Sequence, residues 1–321
     1  MRVILHGGAG GVPDEPEPRQ AVLDEAAEAG AAASTPLDAV EAGVRVLESS
    51  PRFNAGVGGA VQSDGVVRTD AGLMTSDRAV GAVCSMPGVE HAVSAARVVM
   101  EETPHVLVSG DHAVELAAEF GVETGVDLLT DETRERYEAE SPPDGSPSEH
   151  LDWLESRFAS GADQVGGSGD GAAGAGTSTD GGGAGADGDG KSKRGAPDHD
   201  TVGAVASDGE TFAAATSTGG RSFALAGRVG DVPQVGSGFF CTEAGGASAT
   251  GAGEDITRVT LTRRAVDLLE EGVGAEAAAE RAIAEFDDVT GAEAGVIVLG
   301  DEEVGSAFNS AGMQTSVASS E

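Results

Sequence analysis

The stretch "PDHDTVGAVASDGETFAAATSTGG", residues 197–220, decides the fold. Before it lies a tract, 160–196, made largely of Gly, Ala, Ser and Asp, with almost nothing apolar to bury. Such a composition cannot offset its ordering entropy, so 160–198 is expected to be a flexible linker. Two runs follow, 201–206 and 211–216, that read as strands joined at Asp208-Gly209. Asp-Gly is a strong signal for a two-residue type I′ turn. That turn pairs Ser207 with Glu210 and sets Thr201 opposite Thr216. Thr218 is then on the diagonal, ~7–8 Å away, on the same face as Thr201. A four-residue loop keeps the neighbourhood but shifts the facing pair.

Threonine suits strands, and Thr-Ser-Thr-Gly suits a turn, so this hairpin has a purely structural reading. It also has a chemical one. If the chain is cut before Thr201, that residue gains a free α-amine with an unperturbed pKa of ~7.7–8.0. Nucleophile and base then sit in one residue. Thr201 would make the cut itself. Its Oγ attacks the Asp200 carbonyl, the acyl group moves from nitrogen to oxygen, and water hydrolyses the ester. The linker lets the new ends separate. The competing reading is a tether between two independent domains. The piece after the tract has only about 120 residues and opens without a helix or cap, which speaks for one domain.

The rest of the chain frames this hairpin. Residues 2–5 read as a short buried strand running into the Gly-rich 6–11. Residues 20–33 form an Ala-rich helix. Thr35-Pro36-Leu37-Asp38 starts another, with Val40, Val44 and Leu47 on one face. Ser63-Asp64-Gly65 reads as a turn, 81–86 as a strand, and 89–101 and 111–120 as helices. From 130 to 158 the chain is polar and partly helical, with Trp153, Leu154 and Phe158 as docking residues. After the hairpin, 247–255 turns into a helix reaching about 272, another helix spans 275–286, and two strands close the fold. Strands and helices do not alternate strictly, which points to layered α/β packing with largely antiparallel sheets.

Charge excludes several functions. The chain carries 19 basic and 55 acidic residues, a net charge of −36. Its field repels phosphate, so nucleic acid and anionic membranes are not expected partners. The acidity is spread along the chain and fits adaptation to a salt-rich cytoplasm, as in halophilic archaea; an acidic interaction protein is the alternative. Cys84 and Cys241 make no disulfide framework and read as small buried residues. With no leader pattern and no apolar run of ~18 residues, a soluble cytoplasmic protein is expected. "HGGAGG" and "TGAGED" lack the Gly-Lys-Ser/Thr of a phosphate loop. Three adjacent residues, Asp198-His199-Asp200, rarely converge on one metal ion.

The motifs "HGGAG" (6–10), "FNAGVGG" (53–59), "TDAGLM" (69–74), "DTVGAVA" (200–206), "TSTGG" (216–220), "GRVGDVP" (227–233) and "TGAGE" (250–254) occur in one order. In them the chain resembles the plant-type L-asparaginase/isoaspartyl peptidases, N-terminal nucleophile hydrolases that mature by self-cleavage. The resemblance covers nearly the whole chain except about 122–198. It implies an α+β fold: a four-layer αββα sandwich of two mainly antiparallel sheets between helix layers. Residues 1–321 would form a single domain, with an α region 1–200 and a β region 201–321 after cleavage between Asp200 and Thr201. The resemblance makes Thr201 the nucleophile, Thr218 its hydrogen-bonding support, and Asn54 the asparagine beside it. Arg228 would grip the substrate α-carboxylate, and Asp231, helped by the Gly253 carbonyl, the α-ammonium. Thr250 and the Gly251 N–H would form the oxyanion hole. A structural sodium would lie on the loop containing Leu47, Glu48, Phe53 and Asn54. No organic cofactor is implied, and a homodimer of αβ units is.

The pattern departs from the peptidases at Asp200, where they have Gly, and lacks the histidine of their "TGHGE". "HDT" looks more like the glycosylasparaginases, which cleave the sugar–asparagine bond, whereas "GAVA" favours the peptidases. The expected reaction is hydrolysis of L-asparagine or β-aspartyl dipeptides to L-aspartate. Cleavage of N4-(β-N-acetylglucosaminyl)-L-asparagine is the second reading. From another class, an uncleaved, non-enzymatic binding protein is the alternative, and without the resemblance Arg228 beside Asp231 reads as a simple surface ion pair.

Overall fold

The computed structural model describes residues 1–162, 201–301 and 303–320, with side chains to 156 in the first stretch. Residues 163–200 and the Phe158 side chain therefore lie outside the described residues, while 160–162, expected to begin the linker, form the end of a helix. The chain begins with β1 (Arg2–Gly10), α1 (Pro16–Ala31) and α2 (Pro36–Glu48). Then come β2 (Arg68–Thr75), β3 (Val80–Pro87), α3 (Ala92–Glu102), β4 (Leu107–Ser109), α4 (Gly110–Glu119), α5 (Asp131–Glu140) and α6 (Pro147–Ala162). The second part holds β5 (Val202–Ser207), β6 (Phe212–Thr218), β7 (Phe239–Thr242), β8 (Gly245–Gly251), α7 (Gly253–Val259) and α8 (Leu261–Glu270). It ends with α9 (Ala275–Thr290), β9 (Ala294–Leu299), β10 (Val304–Phe308) and β11 (Gly312–Ser319).

Among the described residues the strands form two sheets, of order β11-β1-β5-β6-β2-β3-β4 and β10-β9-β8-β7. All neighbours are antiparallel except β3 with β4. The larger sheet interleaves strands from both sides of the undescribed tract. Its helix-facing side chains, including Val3, Leu5, Val202, Ala204 and Ala213, pack under Leu23, Val40 and Val44 of α1 and α2. Its other face, with Ile4, Val205 and Ala214, meets Phe239, Ala247 and Ile297 of the second sheet, which α8 and α9 cover. The layers run helix, sheet, sheet, helix, as the α+β reading requires. Thr35 caps α2 by accepting from the Asp38 N–H at 3.2 Å, with Pro36 inside the first turn, and Val40, Val44 and Leu47 are buried.

Three expectations are corrected. The hairpin loop has four residues: Ser207 pairs with Phe212, not Glu210. The Asp208 carboxylate accepts from the N–H groups of Glu210 (3.0 Å) and Thr211 (2.8 Å), and this side-chain-capped turn outcompetes the tight one. The helix after 255 is two, α7 and α8, broken at Thr260, whose φ is 53° and whose hydroxyl donates to the Val259 carbonyl at 2.7 Å. A third closing strand, β11, pairs with β1. Its sequence "GMQTSVAS" lacks apolar alternation because it is a mostly half-buried edge strand.

Candidate active site

The four-residue loop puts Thr201 directly across from Thr218. The pairing Val202–Ser217, continued by one residue, makes them neighbours at the start of β5 and the end of β6. Thr201 is buried, and its Oγ1 donates to Thr218 Oγ1 at 3.2 Å. Thr218 Oγ1 in turn donates to the Asn54 carbonyl (3.4 Å) and accepts from the Gly220 N–H (3.1 Å). A hydroxyl relay therefore runs from Thr201 into the "FNAG" loop.

That loop is held by its own asparagine. Asn54 Nδ2 donates to the Gly220 carbonyl (2.6 Å), its Oδ1 accepts from the Ala60 N–H (2.7 Å), and its carbonyl accepts from the Gly219 N–H (2.8 Å). The two backbones touch here. A Cβ on Gly219 would lie 2.4 Å from Gly59 Cα, so the glycines of "TSTGG" and "FNAGVGG" permit the approach. Arg19 ties in the third Gly-rich segment: it donates to the Gly7 carbonyl and sits 4.7 Å above the Phe53 ring.

Across the sheet interface lie the other predicted residues. Thr250, fully buried at the end of β8, accepts from the Ala9 N–H at 3.3 Å, which joins it to the Gly-rich end of β1. Gly251 has φ of 135°, and an added Cβ would meet the Glu293 carbonyl at 2.5 Å. Two residues on, a Cβ built on Gly253 would lie 2.6 Å from Asp231 Oδ1 and 3.0 Å from Arg228 Nη2. Arg228, Asp231 and Gly253 thus form one cluster. The Arg228 ion pair is with Glu254 rather than Asp231: Nε and Nη2 each donate to a Glu254 oxygen at 2.8 Å. Asp231 is no surface residue. It is 5% exposed, and its Oδ2 has no hydrogen-bond partner among the described residues.

Two carboxyls connect the clusters. Asp70 of β2 lies directly opposite Thr218 and accepts from the Ser85 N–H at 2.7 Å. Thr201, just before β5, Thr218 of β6 and Asp70 of β2 therefore form a row. Burial pushes Asp70 up to about 7; the Ser85 bond and Arg228 pull it down, and Asp231 pushes it up. Burial likewise raises Asp231 to about 7 against the pull of Arg228. Glu254 is held down to about 2 by its bonds from Arg228. Beneath the row, His6 Nε2 is 2.9 Å from Ser248 Oγ, which is 2.6 Å from Thr216 Oγ1, and Thr216 donates to the Gly238 carbonyl at 2.8 Å. Burial keeps His6 neutral, down to about 3, with the Thr201 backbone opposing. Asp70, Glu254 and His6 carry no role in the sequence reading. All three lie inside quoted motifs, "TDAGLM", "TGAGE" and "HGGAG", which was the available signal.

The loop 47–56 offers a cation backbone oxygens, but several are already engaged. The carbonyls of Leu47 and Glu48 accept from the Ser50 (3.1 Å) and Val57 (2.9 Å) N–H groups. The Asn54 carbonyl faces Gly219 and Thr218, which does not suit a ligand of that loop. Among the described residues no cluster of three His, Cys, Asp or Glu side chains could hold a metal ion. Nor is any described helix long and apolar enough to cross a membrane.

Comparison with known proteins points to one family. The family model described as asparaginase covers residues 1–321. The chain is 36% identical over 292 residues to the plant-type L-asparaginase of Pyrococcus furiosus, covering 88% of this chain and 84% of that protein. It is 32% identical over 308 residues to the isoaspartyl peptidase/L-asparaginase of Danio rerio, covering 92% and 85%. It is 31% identical over 250 residues to an N(4)-(β-N-acetylglucosaminyl)-L-asparaginase of Elizabethkingia miricola, covering 77% and 60%. Buried paired threonines, a clustered Arg228 and Asp231, and a family match over the whole length lead to one assignment: the chain belongs to the asparaginase family of hydrolases.

Proposed function

We propose that this protein hydrolyses the side-chain amide of L-asparagine and of β-aspartyl dipeptides, with Thr201 as an N-terminal nucleophile freed by self-cleavage after Asp200. The observation that carries the reading is the 3.2 Å contact between the buried hydroxyls of Thr201, just before β5, and Thr218, at the end of β6. Thr201 Oγ attacks the β-carbonyl and gives its proton to its own α-amine. The oxyanion is held at Thr250 and the Gly251 N–H. The C–N bond breaks, the amine returns the proton, and ammonia or an amino acid leaves. Water then attacks the Thr201 ester and releases aspartate. Arg228 and Asp231 hold the α-carboxylate and α-ammonium, with Gly253 beside them. No organic cofactor enters these steps.

The glycosylasparaginase relative is matched over a shorter share of both proteins, so the sugar conjugate is the second substrate reading. A structural sodium would draw on the Leu47, Glu48 and Phe53 carbonyls, without Asn54. We read the net charge of −36 as adaptation to high salt, and the working form as a cytoplasmic dimer of αβ units. In molar salt, the purified protein is expected to run as two fragments on a denaturing gel, the smaller beginning Thr-Val-Gly-Ala. A single full-length chain that releases no aspartate would favour the binding-protein reading.

The paired carboxyls set the pH response. Asp231 must be ionised to hold an ammonium, and it gains that charge as pH rises through about 7. The kcat/KM for L-asparagine is therefore expected to climb through neutral pH. Glu254→Gln removes the neighbouring negative charge that helps raise Asp231, lowers its pKa, and moves the climb to lower pH. Matched pH–rate profiles of the two proteins check this, and coincident curves would contradict it.

A further inference from the structure

We infer that Gln62 is the positioning residue for Arg228, so that this α-region side chain sets selectivity for substrates bearing an α-carboxylate. The inference rests on the reading of Arg228 as the carboxylate clamp. No helix or strand is assigned between Gly219 and Gly238, yet this loop carries both Arg228 and Asp231. A loop of that length needs external partners to hold a guanidinium in one place.

The partners come from the turn at 61–66. Phe223 N–H donates to the Val61 carbonyl (2.7 Å), and Ser63 N–H donates to the Ala224 carbonyl (2.8 Å). Ala226 N–H donates to Ser63 Oγ (3.2 Å). Gln62 then grips both sides of the residue that matters. Its Oε1 accepts from the Gly227 N–H (2.8 Å), and its Nε2 donates to the Arg228 carbonyl (3.1 Å). The amide bridges the 227–228 backbone as a neighbouring strand would.

Gln62 is itself immobilised. It is 1% exposed, and its Oε1 accepts a second bond, from Arg68 Nη1 at 2.8 Å, which fixes which end of the amide is oxygen. Arg68 is forked onto Asp64 at 3.0 and 2.7 Å. The turn is closed by Gln62 N–H to the Val66 carbonyl at 3.0 Å. At the far end Glu254 holds the guanidinium. Arg228 is thus held at its backbone by Gln62 and at its head by Glu254. None of these bonds touches Thr201, Thr218 or Thr250.

Kinetics on two amides test the inference: L-asparagine, and 3-aminopropanamide, which lacks the α-carboxylate. Gln62→Met keeps the length and removes the hydrogen bonds. It should raise KM for L-asparagine about tenfold with kcat little changed, and leave kcat/KM for 3-aminopropanamide as in wild type. Gln62→Glu keeps the acceptor but not the donor to the Arg228 carbonyl and should fall between. Unchanged self-cleavage and unchanged turnover of 3-aminopropanamide show that the variants fold. Arg228→Ala runs alongside. If it abolishes the preference for L-asparagine while Gln62→Met keeps the wild-type ratio, the role of Gln62 is overturned. If Arg228→Ala leaves the preference intact, the clamp reading falls, and this inference with it.

Discussion

Thr201→Ala is expected to remain one full-length chain on a denaturing gel and to lose asparagine hydrolysis by on the order of 10⁴-fold or more. Two losses coincide in one atom. Without Oγ nothing attacks the Asp200 carbonyl, so no new N-terminus forms. Without Oγ nothing attacks the substrate either. The fold has little reason to change. Thr201 precedes β5, and the ladder through Val202–Ser217 is made by backbone groups. Thr218 keeps its bonds to the Asn54 carbonyl and the Gly220 N–H. Thr201→Ser restores the hydroxyl and should restore cleavage. Normal cleavage of the alanine variant, read by N-terminal sequencing, would remove Thr201 from the mechanism.

Arg228→Ala is expected to lower kcat/KM for L-asparagine by on the order of 10²–10³-fold, about 3–4 kcal/mol, the cost of deleting one member of a desolvated charge cluster. The loss has two parts. The substrate carboxylate loses a two-pronged donor. Glu254, Asp231 and Asp70 lose the cation that offsets them, which raises the pKa of each carboxyl. Arg228→Lys restores a point charge without the fork and should recover only part of the activity. Steady-state kinetics across pH 6–9 separate the parts: the alanine variant should shift its rise to higher pH as well as lose rate. A loss confined to kcat, with KM and pH profile unchanged, would contradict the clamp role.

Much of the site was legible because its residues cluster along the chain. Thr201 and Thr218 flank one hairpin, Arg228 and Asp231 share one loop, and Thr250, Gly251 and Gly253 share one turn. Asp70, Gln62 and Glu254 were harder to see. Each acts on a partner brought to it by folding; Asp70 and Glu254 lie inside motifs, but the motif alone does not say which residue each one meets. The hairpin register was misjudged for a related reason. Asp-Gly favours a two-residue turn when alone, but the Asp208 side chain found two N–H donors in a wider loop. The strand β11 escaped notice because an edge strand with one half-solvated face carries no strong apolar pattern.

Taken alone, the sequence determined layered packing with largely antiparallel sheets and the helix start at Thr35-Pro36, because periodicity and capping are local properties, while the α+β sandwich and the role of Thr201 came from the resemblance carried by its motifs. The tertiary structure decided which threonine faces Thr201, which carboxylate pairs with Arg228, and that Asp70 and Asp231 share one buried cluster. Those outcomes depend on register and on burial. A shift of two residues in a hairpin changes the facing pair without changing any local preference. A carboxyl rises to about 7 only when packed layers remove its water.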